Sequence, residues 1–110
     1  MANTFARKLS RNIGTSPVTV GSYTVGAATQ VTVIGLSVAN TTGSNVTVDV
    51  ALNDGANDTY ITKSAPVPSG GTLVLMGGDQ KLVMVTGDSI KVTSSAASSV
   101  DAVLSILEIT

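Results

Sequence analysis

A vocabulary of β-branched residues, broken at short intervals, constrains this chain more than anything else in it. Sixteen valines and fifteen threonines are stiff at χ1 and favour the pleated strand over the helix. From Val18 onward, short apolar runs are cut by Gly, Asn, Asp, Ser or Pro about every 8 to 12 residues, the rhythm of a sandwich or barrel. Strands are predicted at residues 18–25, 31–40, 46–53, 59–63, 72–76, 81–85, 88–93 and 100–109. The connections carry turn chemistry. Asn53, Asp54 and Gly55 suit a type I turn with glycine in the left-handed position. Gly43, Gly77–Gly78–Asp79 and Thr86–Gly87–Asp88 mark further turns. Pro66, Pro68, Gly70 and Gly71 make an extended crossing that no central strand tolerates.

The face pattern is less uniform. Val46, Val48, Val50 and Leu52 alternate with polar or small residues, as do Ile90 and Val92, so each of these strands has one core face and one wet face. The stretches 73–76, 82–85 and 103–109 are apolar on both sides. In 31–40, Ile34, Leu36 and Val38 oppose Val31, Val33 and Ala39, and Gly35 is placed to seat a bulge that flips the face midway. A two-layer domain of this size has one core, so a second apolar face reads as a subunit interface.

Composition removes whole classes of chemistry. The chain lacks cysteine and histidine, which excludes a disulfide framework, a thiol nucleophile, cysteine- or imidazole-held metal and a Ser–His pair. Asn53, Asp54, Asn57 and Asp58 are oxygen-rich but lack the EF-hand spacing, and a β-turn wants the same residues. Asp79 and Asp88 follow glycines at strand starts and read as turn acceptors rather than a glycosidase pair. The glycine pairs lack the spacing of a phosphate loop. Tyr23, Tyr60 and Phe5 are too few aromatics for a base- or sugar-stacking platform. No catalytic, metal-binding or cofactor-binding set is therefore predicted, and no enzyme activity.

Charged residues are only 12% of the chain, about half the usual share of roughly 25%. Such a surface favours association and suits a subunit of an ordered assembly. Arg7, Lys8 and Arg11 are the only charges before residue 49, while residues 49–110 carry Lys63, Lys81 and Lys91 against all seven acids. A basic head on an acidic body predicts electrostatic contact with another copy or an acidic neighbour. Three cations are too few for a nucleic-acid footprint. No signal-peptide pattern opens the chain, and no apolar run approaches the roughly 18 residues of a span, so no membrane partner is expected.

Residues 1–17 form a distinct head. Phe5, Leu9 and Ile13 recur every four residues with Arg7, Lys8 and Arg11 between them, which predicts a short amphipathic helix. A helix this short needs a surface to pack on. The segment is expected to be an arm that docks on a neighbouring subunit through Phe5, Arg7, Lys8, Leu9, Arg11 and Ile13. Residues 18–110 would form the β domain.

Several phrases are familiar: FARKLSRNIGT at 5–15, VTVIGLSVAN at 31–40, APVPSGG at 65–71, GDQKL at 78–82, GDSIKV at 87–92 and LSILEI at 104–109. In these the chain resembles the small virion structural proteins of tailed bacteriophages. The resemblance implies a non-enzymatic structural component of the virion, assembled in the host bacterial cytoplasm. It would join or reinforce head–tail, neck or tail subunits, with other phage structural proteins and its own copies as partners. A capsid decoration protein is the alternative within that class, and a receptor- or glycan-binding module of a tail fibre is the alternative outside it. The expected fold is all-β: an antiparallel sandwich of seven or eight strands, jelly-roll or immunoglobulin-like, with the N-terminal arm.

Overall fold

The computed structural model describes residues 3–76 and 81–110. Nine strands form among them: β1 (Asn3–Ile13), β2 (Val18–Thr19), β3 (Gln30–Asn40), β4 (Val46–Asn53), β5 (Asp58–Val67), β6 (Thr72–Met76), β7 (Leu82–Met84), β8 (Ser89–Ser94) and β9 (Val100–Ile109). The predicted strands at 46–53, 72–76 and 100–109 coincide with β4, β6 and β9. The turn expected at Gly77, Gly78 and Asp79 lies outside the described residues.

Two antiparallel sheets face each other. Sheet A runs β1-β9-β3-β6, with β7 also on β3, and sheet B runs β2-β8-β4-β5. The order has a simple origin. The chain folds back on itself as one long ribbon, pairing β1 with β9, β2 with β8, β3 with β6 and β7, and β4 with β5. The ribbon then wraps so that β9 meets β3 and β8 meets β4. That is the jelly roll of the two predicted arrangements. β6 and β7 pair successive stretches of the same β3 edge, so nine strands fill eight places.

The inner faces of the sheets make one core. β3 contributes Val31, Val33, Leu36 and Val38, β9 contributes Val100, Ala102, Leu104 and Ile106, and β4 and β8 add Val46, Val48, Val50, Ile90 and Val92. The change of parity along β3 is the bulge expected at Gly35. The register against β9 shifts between Val33 and Gly35, so Val33 pairs with Ile106 and Gly35 with Ser105. Ile34 is the extra residue and faces out, which lets both halves of the strand fill the core. The folded surface of 5756 Å² agrees with the roughly 5,600 Å² expected for this mass.

Three expectations change. The predicted strand at 18–25 stops after Thr19, because Gly21 and Ser22 take φ of 62° and 52° in a 3-10 turn at Val20–Ser22. β5 runs on past Lys63 to Val67 and contains Pro66, opposite Thr47. It is an edge strand, where a missing N–H is tolerated. The largest change is at the head. Residues 3–13 are no helix; they form the 11-residue strand β1, paired with β9 from Asn3–Ile109 to Ile13–Val100. β9 lends β1 a ladder of backbone hydrogen bonds that a short isolated helix cannot match.

Candidate interaction face

Strand geometry decides what each head residue does. Phe5, Arg7, Leu9 and Arg11 share the outer face of sheet A, while Ala6, Lys8 and Ser10 point inward. Between Ser10 and Ile13 the register shifts, with Asn12 at a φ of 57°, a conformation asparagine tolerates. The shift turns Ile13 into the core, where it is fully buried. Its carbonyl accepts from Ser99 N at 2.9 Å, and the next carbonyl, of Gly14, accepts from Ser94 N at 2.8 Å. Of the six residues assigned to docking, four lie together on an open surface. Lys8 and Ile13 do not.

Lys8 belongs to a buried-edge cluster. Its ammonium lies 4.7 Å from the centroid of the Tyr23 ring, and the Tyr23 hydroxyl donates to Glu108 Oε2 at 2.7 Å. The 3-10 turn presses on the same spot. Gly21 N donates to Ser10 Oγ at 2.8 Å, and a Cβ at Gly21 would fall 2.6 Å from Lys8 Cβ. Burial, followed by the hydrogen bond to Glu108 and its negative charge, pushes the Tyr23 phenol far above its ordinary value of 10.0. Its neutral form is the folded form. This group's contribution is full below about pH 10 and is lost as pH rises beyond it, because the unfolded chain ionises first. In a Tyr60→Phe variant, phenolate absorbance should stay silent near pH 10 and rise only with unfolding. Normal titration with the fold intact would show that Tyr23 is solvated.

The outer face of sheet A is apolar in rows. Pairing across the strands aligns Phe5, Leu107, Thr32 and Val83 in one row, and Leu9, Val103, Ser37 and Val74 in another. Between them run Arg7, Ser105 and Gly35. This middle row is short in β9 and β3, and a shallow depression opens there, lined by Phe5, Arg7, Ile34 and Ser105. Phe5 is 76% exposed, Val74 65% and Val83 62%. Of the eight large exposed hydrophobics among the described residues, six lie on this face: Phe5, Leu9, Ile34, Val74, Val83 and Val103. Solitary exposed apolar residues need no explanation, but a contiguous set does. No described carboxylate forms an ion pair with Arg7 or Arg11. The nearest acid to Arg11 along the ladder, Asp101, accepts from Asn12 N at 2.9 Å.

Sequence reading identified part of this set through the doubly apolar stretches of β6, β7 and β9. It missed that Val74, Val83 and Val103 share one sheet face with Phe5 and Leu9. Only the strand order carries that information.

The opposite face differs in kind. On sheet B, Lys63 lies 4.4 Å over the Tyr60 ring and pairs with Asp49 at 3.5 Å. One face of that ring is therefore covered by Lys63. In the β4–β5 turn, Asp54 Oδ1 accepts from the backbone N–H of Asn57 at 2.8 Å and of Ala56 at 3.0 Å. These donors hold its carboxyl below the usual range. Asn53 Oδ1 accepts from Gly55 N, whose φ is 100°. These oxygens are used in building a turn. Asp88 likewise accepts from Val85 N at 2.9 Å through Oδ2.

No family model matches the chain, and no curated protein matches it in sequence. Solved structures do. One is a protein of Bacillus endospore appendages, described as forming a novel family of disulfide-linked pili. It is 13% identical with a TM-score of 0.53, over 99% of this chain and 87% of that one. Another is the nucleoplasmin-like N-terminal domain of Drosophila FKBP39, 13% identical with a TM-score of 0.50, over 98% of this chain and 91% of that one. At such identities the likeness is one of fold: this chain is a two-sheet, all-β sandwich of the kind found in both.

Proposed function

We propose that this chain is a non-enzymatic assembly subunit that holds other protein subunits through the outer face of sheet A. The observation that carries this reading is the concentration of exposed apolar side chains on that one face. The sparse charge of the whole chain supports it, since a surface with few charges resists association poorly. One structural neighbour is described as a pilus protein, a precedent for a structural role on this fold. That pilus is described as disulfide-linked. This chain has no cysteine, so its own contacts in an assembly are non-covalent with respect to sulfur.

The finer reading rests on the resemblance of the sequence phrases quoted above to small virion proteins of tailed phages. In it the chain is a minor component of a tailed-phage particle that joins or reinforces head–tail, neck or tail subunits and resides in the virion. Phe5, Arg7, Leu9 and Arg11 are its contacts from β1. Substituting Leu9→Asp together with Val74→Asp places two charges on the exposed face at positions that are not cross-strand partners, where the cost to folding is small. Particles purified from producing cells should contain the wild-type chain by mass spectrometry and at least about tenfold less of the variant, the effect of 1.4 kcal/mol or more at the contact. Absence of the wild-type chain from particles, or equal incorporation of the variant, would refute the reading. Binding of the purified chain to tail-less shells would favour decoration over joining.

A further inference from the structure

We infer that the occupant of the outer face of sheet A is a second copy of this chain, related by a two-fold axis that stacks the two sheets face to face. The inference deepens the assembly reading above and rests on it. It starts from the asymmetry of the molecule. A head-to-tail contact between copies needs two different complementary patches, whereas a two-fold contact needs one patch that complements itself. Among the described residues there is one large apolar patch, formed by Phe5, Leu9, Ile34, Val74, Val83 and Val103. Of the remaining exposed large hydrophobics, Tyr60 lies on sheet B, and Val85 follows β7 at the margin of the patch. The outer face of sheet B offers Tyr60, covered by Lys63, beside Asp49 and Lys91. Among the described residues, only the patch itself presents an apolar set as wide as the patch.

Size agrees. Four strands at about 4.8 Å spacing and about ten residues at about 3.3 Å each give a face on the order of 600 Å² in projection. A standard interface takes about 800 Å² of accessible surface from each partner, and the lower limit is near 600 Å². The twist of each sheet would set the strands of the two copies roughly 30° apart, as in other aligned sheet pairs. The face also carries Arg7, Arg11 and Asp101. A two-fold lying across the strands near the Leu9–Val103 row sets the Arg7 row of each copy over the row of the other that holds Arg11 and Asp101. Each Asp101 would then stand near two guanidiniums, its own copy's Arg11 and the other copy's Arg7.

The test uses the full chain, purified, in sedimentation velocity over a concentration series. A dimer in the micromolar range or tighter is expected, and a Val74→Asp, Val103→Asp variant with unchanged circular dichroism should sediment as a monomer. The absence of native cysteine makes cross-linking clean. Val103→Cys, in the row on the two-fold axis, should be joined to its copy by a short bis-maleimide, while Thr47→Cys on sheet B should not. A wild-type chain that stays monomeric at every concentration overturns the inference, as does cross-linking through Thr47→Cys but not Val103→Cys. The two readings fail separately. A monomeric chain that still enters particles through this face has a different protein as its partner. A dimer never found in particles leaves the two-fold contact and removes the virion role.

Discussion

Leu36→Asp should leave the chain without a cooperative unfolding transition. Leu36 is 1% exposed and sits where β3 meets both neighbours, paired with Leu104 of β9 and Met76 of β6. Truncating a buried leucine costs about 2–5 kcal/mol in lost transfer energy and cavity. Seating a carboxylate there, with no basic partner in the core, adds several kcal/mol more whether it stays charged or takes a proton. A domain of this length has roughly 5–15 kcal/mol in total. Urea titration followed by circular dichroism should show no baseline of folded protein. Val74→Asp is the control, because the same change on the outer face of the same sheet should shift stability by about 0.5 kcal/mol or less. Similar melts for the two variants would mean that the inner and outer faces of sheet A have been exchanged.

Deleting residues 1–13 is the second large effect. Taken as an arm, the head could be removed without harm to the β domain. As β1 it covers the full length of β9, and Ile13 is wholly within the core. Its loss strips the ladder from β9, uncovers the Tyr23–Glu108 contact that Lys8 caps and leaves a long edge open to other chains. Loss of the Ile13 side chain alone is worth about 3 kcal/mol, which lowers Tm by roughly 10–20 °C for a domain of this size. Truncated protein is therefore expected to melt at least that much lower and to aggregate. A truncated chain melting within a few degrees of the full one would show that β1 is an accessory and that sheet A is complete without it.

The error at the head has a definite cause. A spacing of four is close to one helical turn, but it is also two periods of a strand, so Phe5 and Leu9 fall on one face in either structure. Nothing local separates the two. The choice was made by β9, about ninety positions away in the sequence, and long-range pairing leaves no trace in a single sequence. The bulge at Ser10–Ile13 was equally hidden, and it alone sends Ile13 inward while Phe5 and Leu9 stay out. Gly35 shows the opposite case. There a break in apolar parity and a glycine within one strand forecast the bulge from local information. β4 and β9 were also legible, since turn residues bound them and one face of each is buried. The candidate face stood between these extremes. Its doubly apolar strands were visible as such, but that β1, β9, β3, β6 and β7 are neighbours follows from the wrapping of the ribbon.

The central claim is that sheet A meets another molecule through its outer face. Hydroxyl-radical footprinting of the chain within its native assembly, against the free monomeric Val74→Asp, Val103→Asp variant, reads that face directly. Phe5 and Leu9 should be strongly protected in the assembly, while Tyr60 on sheet B should be modified equally in both. Oxidation of Phe5 at the same rate in assembly and monomer would contradict the account.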